Sequence, residues 1–216
     1  MKAMVKKFIC VAGLTCSSLL MATNANAALM SVSGPASNAG AMAQIIMAPT
    51  LALDSAATNL GQQGFNEQQN VLLTSSINVD GGTIAAGTRV NSHMIFLNKG
   101  RNAGIVHFGV DWTFSNRILG VMSDFGGNLE TSTTSILGSL STTYPNAGFP
   151  ARGLEANDSY SFLGNVLTVN MRVTEPGDWI RVVTAVPIPA ALPLMGGALA
   201  GLGFLGWRRK RSSTAA

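Results

Sequence analysis

Cysteine, histidine and charge are all scarce in this chain, and each scarcity excludes something. Only Cys10 and Cys16 occur in 216 residues, both within the first apolar stretch. The rest of the chain therefore holds no disulfide framework, and its stability rests on a packed core. Two histidines, His93 and His107, are too few for a histidine-based metal cluster. Charged residues make up 11% of the chain. Its net charge of +4 belongs to the ends: Lys2, Lys6 and Lys7 in front, and Arg208, Arg209, Lys210 and Arg211 behind. Between residues 28 and 186, seven basic residues face ten acidic ones, a net of −3. With no basic stripe, the middle does not meet what nucleic-acid binding requires. Helical periodicity is nearly absent as well. A hydrophobic fraction of 47% argues against disorder, and the length suits one domain.

The front reads as a secretory signal peptide over residues 1–27. Lys2, Lys6 and Lys7 form its positive start, and residues 8–21 its apolar run. Ala25 and Ala27 are the small residues before the cleavage point, so Ala28 is the expected mature N-terminus. The run is too short to span a bilayer, which takes about 20 apolar residues. Cys16 follows Thr15 rather than Gly or Ala, which disfavours a lipoprotein signal.

The back end is the most specific segment. Val186-Pro187-Ile188-Pro189-Ala190 leads into an apolar stretch that closes at Trp207, followed by Arg208-Arg209-Lys210-Arg211. From Ala190 to Trp207 is 18 residues, about 27 Å as a helix and enough to cross hydrocarbon. The stretch has no polar face, as a core helix would. The cations place the C-terminus on the cytoplasmic side, and Trp207 stands where indole rings prefer the interface. This order of features resembles the PEP-CTERM sorting signals, specifically the VPLPA variant, with Ile188 where the variant has Leu. The resemblance covers residues 186–211. It implies a membrane location, an exosortase-type peptidase as partner, cleavage near the proline motif, and release or re-anchoring at the surface. It also implies an association with exopolysaccharide-producing Gram-negative bacteria.

Between the ends, residues 28–64 read as an irregular Ala/Gly/Asn-rich lead-in, with a short element around 43–53. Residues 65–186 read as the folded domain, 187–211 as the sorting signal and 212–216 as a tail. Strands are expected at 71–79, 83–85, 89–97, 105–114, 118–122, 159–163, 167–174 and 179–186. Two of them alternate strictly. Val106, Phe108, Val110, Trp112 and Phe114 fall on one face, with His107, Asp111 and Thr113 opposite. Leu167, Val169, Met171 and Val173 repeat the pattern. The expected fold is all-β, an antiparallel sandwich of jelly-roll type.

No catalytic set emerges. His107 and Asp111 share a face, yet four residues along a strand is about 13 Å. Asp80, Asp124, Asn157, Asp158, Glu175 and Asp178 lie near turns, where calcium finds oxygen ligands, but they lack EF-hand spacing. Tyr144, Phe149 and Tyr160 are candidate glycan contacts. The expectation is an exported, non-enzymatic envelope or matrix protein without cofactor or bound metal, first anchored in the inner membrane with its domain outside the cytoplasm. The alternative is a secreted carbohydrate-binding module.

Overall fold

In the computed structural model, the described residues are 28–50, 59–98, 104–144, 152–174, 177–186, 196–197, 199–202 and Phe204. The chain divides into two compact units, one of Ala25–Ile188 and one of Met1–Asn24 with Pro189–Ala216. In the second unit, residues 196–197, 199–202 and Phe204 are helical. No helix among the described residues is long and apolar enough to cross a membrane. The expected signal peptide, the motif residues Pro187 to Ala190 and the closing Trp207 to Arg211 lie outside the described residues.

The first unit runs β1 (Leu29–Ser33), β2 (Gln44–Ile45), β3 (Gln63–Asn66), β4 (Val71–Leu72), β5 (Ile77–Val79) and β6 (Gly82–Ile84). It continues with β7 (Arg89–Asn98), β8 (Ile105–Phe114), β9 (Ile118–Met122), α1 (Asn128–Leu137), β10 (Ser159–Leu163), β11 (Val166–Val173) and β12 (Gly177–Ala185). One sheet has the order β1-β8-β11-β10. The other runs β2-β3-β7-β12-β9, with β4 also on β7, and β5-β6 form a separate hairpin. Every ladder is antiparallel except β2 with β3. The all-β antiparallel sandwich is thus as expected. Neither sheet shows the 4-1-2-3 order of a Greek key. By chain rank, β1-β8-β11-β10 and β3-β7-β12-β9 both read first, second, fourth, third.

The two sheets meet over a core of Val110, Trp112, Leu167 and Val169 from one side and Ile95, Leu97, Ile180 and Val182 from the other. The six-stranded sheet is covered on its second face too. There Leu73, Val79, Val90, Leu137 and Val183 form one cluster, and Phe65, Met94, Phe96 and Trp179 another. Covering both faces removes alternation, so Val90 to Asn98 and Gly177 to Thr184 are buried at every position.

Strand β8 corrects the sequence reading. Its alternation holds at Val110, Trp112 and Phe114, but before Gly109 the buried residues are Ile105 and His107, while Val106 is half-buried and Phe108 is 41% exposed. Opposite it, Val169 pairs with Val110 and Met171 with His107, so two steps on β11 meet three on β8. That is a bulge at Phe108-Gly109, and Gly109 takes a left-handed φ of 68°. The extra residue flips every side chain before it to the other face. Phe108→Ala should therefore cost no more than about 1 kcal/mol in urea unfolding, not the roughly 3–5 kcal/mol of a buried phenylalanine. Strand β11 needs no correction: Leu167, Val169, Met171 and Val173 are buried.

The lead-in is also corrected. β1 is an edge strand on β8, with Val32 facing Trp112, and β2 extends the six-stranded sheet through β3. Helix α1 was not expected. Its first amides, at Asn128 and Leu129, donate to the two oxygens of Asp124 at 2.8 and 2.9 Å, satisfying groups that a helix start leaves unpaired.

Candidate functional site

The bulge in β8 puts His107 and Asp111 on opposite faces. The His107 ring is buried. The Gln62 amide donates to its Nδ1 at 2.9 Å, and its Nε2 donates to the Pro35 carbonyl at 2.9 Å. Gln62 also donates to the His107 carbonyl and accepts from Trp112 Nε1, so this histidine ties β8 to the segment before β3. Asp111 faces the other way and accepts the Thr168 hydroxyl at 2.6 Å. His93 stands between Asn66 Oδ1 at 2.7 Å and Thr184 Oγ1 at 3.0 Å, and burial pushes its pKa down to about 3. Both rings are engaged in the fold.

The turn carboxylates separate into distinct jobs. Asp80 accepts Ser123 and Tyr160 hydroxyls, Asp124 caps α1, and Glu175 lies outside the described residues. No group of three or more His, Cys, Asp or Glu side chains among the described residues is arranged to hold a metal ion. Asp158 accepts the amides of Glu155 at 3.1 Å and Arg172 at 2.6 Å. Asp178 is 3% exposed, and its pKa is pushed up to about 9, first by burial, then by the neighbouring Asp158 and Glu155. Its Oδ2 has no hydrogen-bond partner.

A charge network that the sequence did not suggest lies under α1. Arg181, on the outer face of β12, donates to Glu67 through Nε at 2.7 Å and Nη2 at 2.9 Å, and through Nη2 to Glu130 at 3.1 Å. Arg152 pairs with Glu130. The Ser92 hydroxyl and Tyr144 OH donate to Glu67 at 2.6 and 2.5 Å, and Arg181 sits 5.7 Å over the Tyr144 ring. Burial works against the Arg181 charge, but the carboxylates outweigh it and hold its pKa above the ordinary value. Burial raises Glu130 despite its two arginines. Being two acids and two bases shut off from solvent, the network holds α1 on the sheet and offers no opening to a ligand.

Two of the three aromatics considered as glycan contacts are also committed elsewhere. Tyr144 joins that network, Tyr160 donates to Asp80 at 3.0 Å, and Phe149 lies outside the described residues. The open surface is the outward face of the four-stranded sheet. Its register lines up Ser33, Asp111, Thr168 and Ser161 in one row across β1, β8, β11 and β10. Asn170, next along β11, accepts the Gly109 amide at 2.6 Å and donates to Ser159 at 2.9 Å. At this end a pocket of about 160 Å³ is lined by Glu155, Ala156, Asn157, Asp158, Arg172 and Thr174. No protein family, no curated protein and no solved structure matches the chain.

Proposed function

We propose that the chain is an exported envelope or matrix protein, delivered by its C-terminal sorting signal and acting through its β domain as a non-catalytic structural or interaction module. The observation that carries this is the order of the tail: Val186-Pro187-Ile188-Pro189-Ala190, an apolar run, then Arg208-Arg209-Lys210-Arg211. In this reading residues 1–27 are a signal peptide cut before Ala28. The apolar run from Ala190 to Trp207 halts translocation as a transmembrane helix, and the cations hold its orientation. An exosortase-type peptidase then acts at the proline motif, which Pro187 and Pro189 keep extended.

The limits of the folded unit support this division of labour. Its last strand ends at Ala185, directly before Val186 of the motif. At the other end, Ala28 leads directly into β1. A peptidase would therefore meet its motif at the point where the ladder stops.

The test is to follow tail variants of the full chain in an exosortase-bearing host by fractionation and immunoblotting. Pro187→Ala with Pro189→Ala should leave the protein membrane-bound and unprocessed. Deletion of Arg208, Arg209, Lys210 and Arg211 should weaken retention and orientation. Release and processing of both variants as for the unaltered chain would refute the sorting assignment.

A further inference from the structure

We infer that the outward face of the four-stranded sheet, from Phe108 past Asn170 to the pocket at Asp158 and Arg172, binds a segment of neutral, hydroxyl-rich polysaccharide. The inference stands on the β domain alone, whatever becomes of the tail.

The bulge is the first observation. Regular alternation would bury Phe108 in the sandwich; the extra residue turns the ring outward to 41% exposure. Bulges re-aim side chains in this way, commonly beside functional sites. The distortion is fully supported, since the Gly109 amide is taken up by Asn170 Oδ1. Arg172 pairs with Val106, and Asn170 accepts from Gly109, so the register sets Phe108 opposite Asn170 and next along the strand to the Val106–Arg172 pair. An apolar ring beside an amide and a guanidinium suits the two kinds of surface on a pyranose. C–H groups pack on the ring, and hydroxyls bond to the polar heads.

The second observation is the polar row. Ser33, Asp111, Thr168 and Ser161 stand one per strand, at roughly 4.8 Å spacing. Such a row offers acceptors and donors to an extended chain and gives little to an apolar partner. The Thr168–Asp111 hydrogen bond fixes the central pair, which reduces the entropy lost on binding.

Charge decides among polymers. The pocket faces Arg172 with Glu155 and Asp158, one carboxylate in excess, which disfavours a polyanion. Both Asp158 oxygens already accept backbone amides, so Asp158 serves as an oriented acceptor rather than an ion exchanger. A neutral polyol matches this balance, and its binding should be insensitive to salt.

The experiment uses the full chain, purified in a detergent without a sugar headgroup. It is run by affinity electrophoresis against mixed-linkage β-glucan and galactomannan as neutral probes, alginate as the anionic probe and chitosan as the cationic probe. Saturable, salt-insensitive retardation by a neutral polymer is expected. It should weaken by about tenfold or more in Phe108→Ala and in Arg172→Ala, with thermal midpoints little changed. Phe125→Ala, which alters an exposed ring in the turn before α1, should bind as the unaltered chain does. Failure of both neutral polymers to bind overturns the inference. So does binding confined to alginate or chitosan and abolished by salt, or neutral binding unchanged in both face variants.

Discussion

Replacing Arg181 by Met is expected to lower the unfolding free energy by about 3–5 kcal/mol, the usual cost of removing one partner from a buried ion pair. The guanidinium is fully buried and bridges Glu67 to Glu130. Its Nη1 also donates to the Glu130 carbonyl and the Thr133 hydroxyl on α1. Without it, the shared cation of two carboxylates is gone and the inner turns of α1 lose their anchor. The pH dependence identifies the cause. Glu130, already raised by burial, loses one of the two arginines that oppose that rise. A group with a raised folded pKa contributes stability at low pH and loses it as pH rises through that pKa. The deficit of Arg181→Met should therefore shrink towards acid pH. Urea unfolding at acid and neutral pH measures this. A variant within about 0.5 kcal/mol of the unaltered chain, as at a plain surface site, would mean that the network contributes nothing to holding α1.

The same network shows what the sequence could reveal and what it could not. Strands with one wet face were legible because alternation of apolar and polar residues is a local signal: β11 needed no correction. The long strands β7 and β12 could be placed from their β-branched and apolar runs, but the second layer over them could not. Part of that layer is polar, with Glu67, Glu130, Thr133 and Arg181 buried in it, and polar residues read as solvent-facing. Helix α1 is the clearest case. Glu130, Thr133 and Leu137 are its buried residues, at the i, i+3, i+7 spacing of a helical face. The period is present in the sequence, but carried mainly by a glutamate and a threonine that meet Arg181, so a search for apolar periodicity passes over it. A lone arginine amid the β-branched residues of 179–186 was the available clue. Phe108 fails for a different reason. A bulge adds one residue without any change of composition, and Gly109 inside an alternating run is its only sequence mark. That one glycine decides whether Phe108 belongs to the core or to the candidate binding face. It also separates His107 from Asp111, the pair that alternation had placed together.

Asp178→Asn is expected to stabilise the domain at alkaline pH, by an amount on the order of a few kcal/mol. Asp178 is buried against Asp158, with its pKa pushed up to about 9 by burial and by the neighbouring acids. The folded state therefore holds a proton there that the unfolded chain, with an aspartate pKa near ~3.9, has already released. More protons bound to the folded state means that stability falls as pH rises, by about 1.4 kcal/mol per unit while Asp178 is protonated only in the fold. Glu155 and Asp158 are shifted in the same direction. His93 has the opposite sign. Its pKa is depressed to about 3, so its contribution is present above its unfolded value near ~6.5 and lost as pH falls. The two slopes oppose each other below about pH 6.5; above it the Asp178 slope is no longer offset. The unaltered domain should thus lose thermal stability steadily from roughly pH 6.5 to 9. Asn at 178 keeps the shape, can donate an N–H to Asp158 in place of the carboxyl proton, and has nothing to titrate. Its profile over that interval should flatten and lie above that of the unaltered chain. Thermal unfolding across the interval gives both curves, and two coincident curves would show that no proton is held between Asp158 and Asp178.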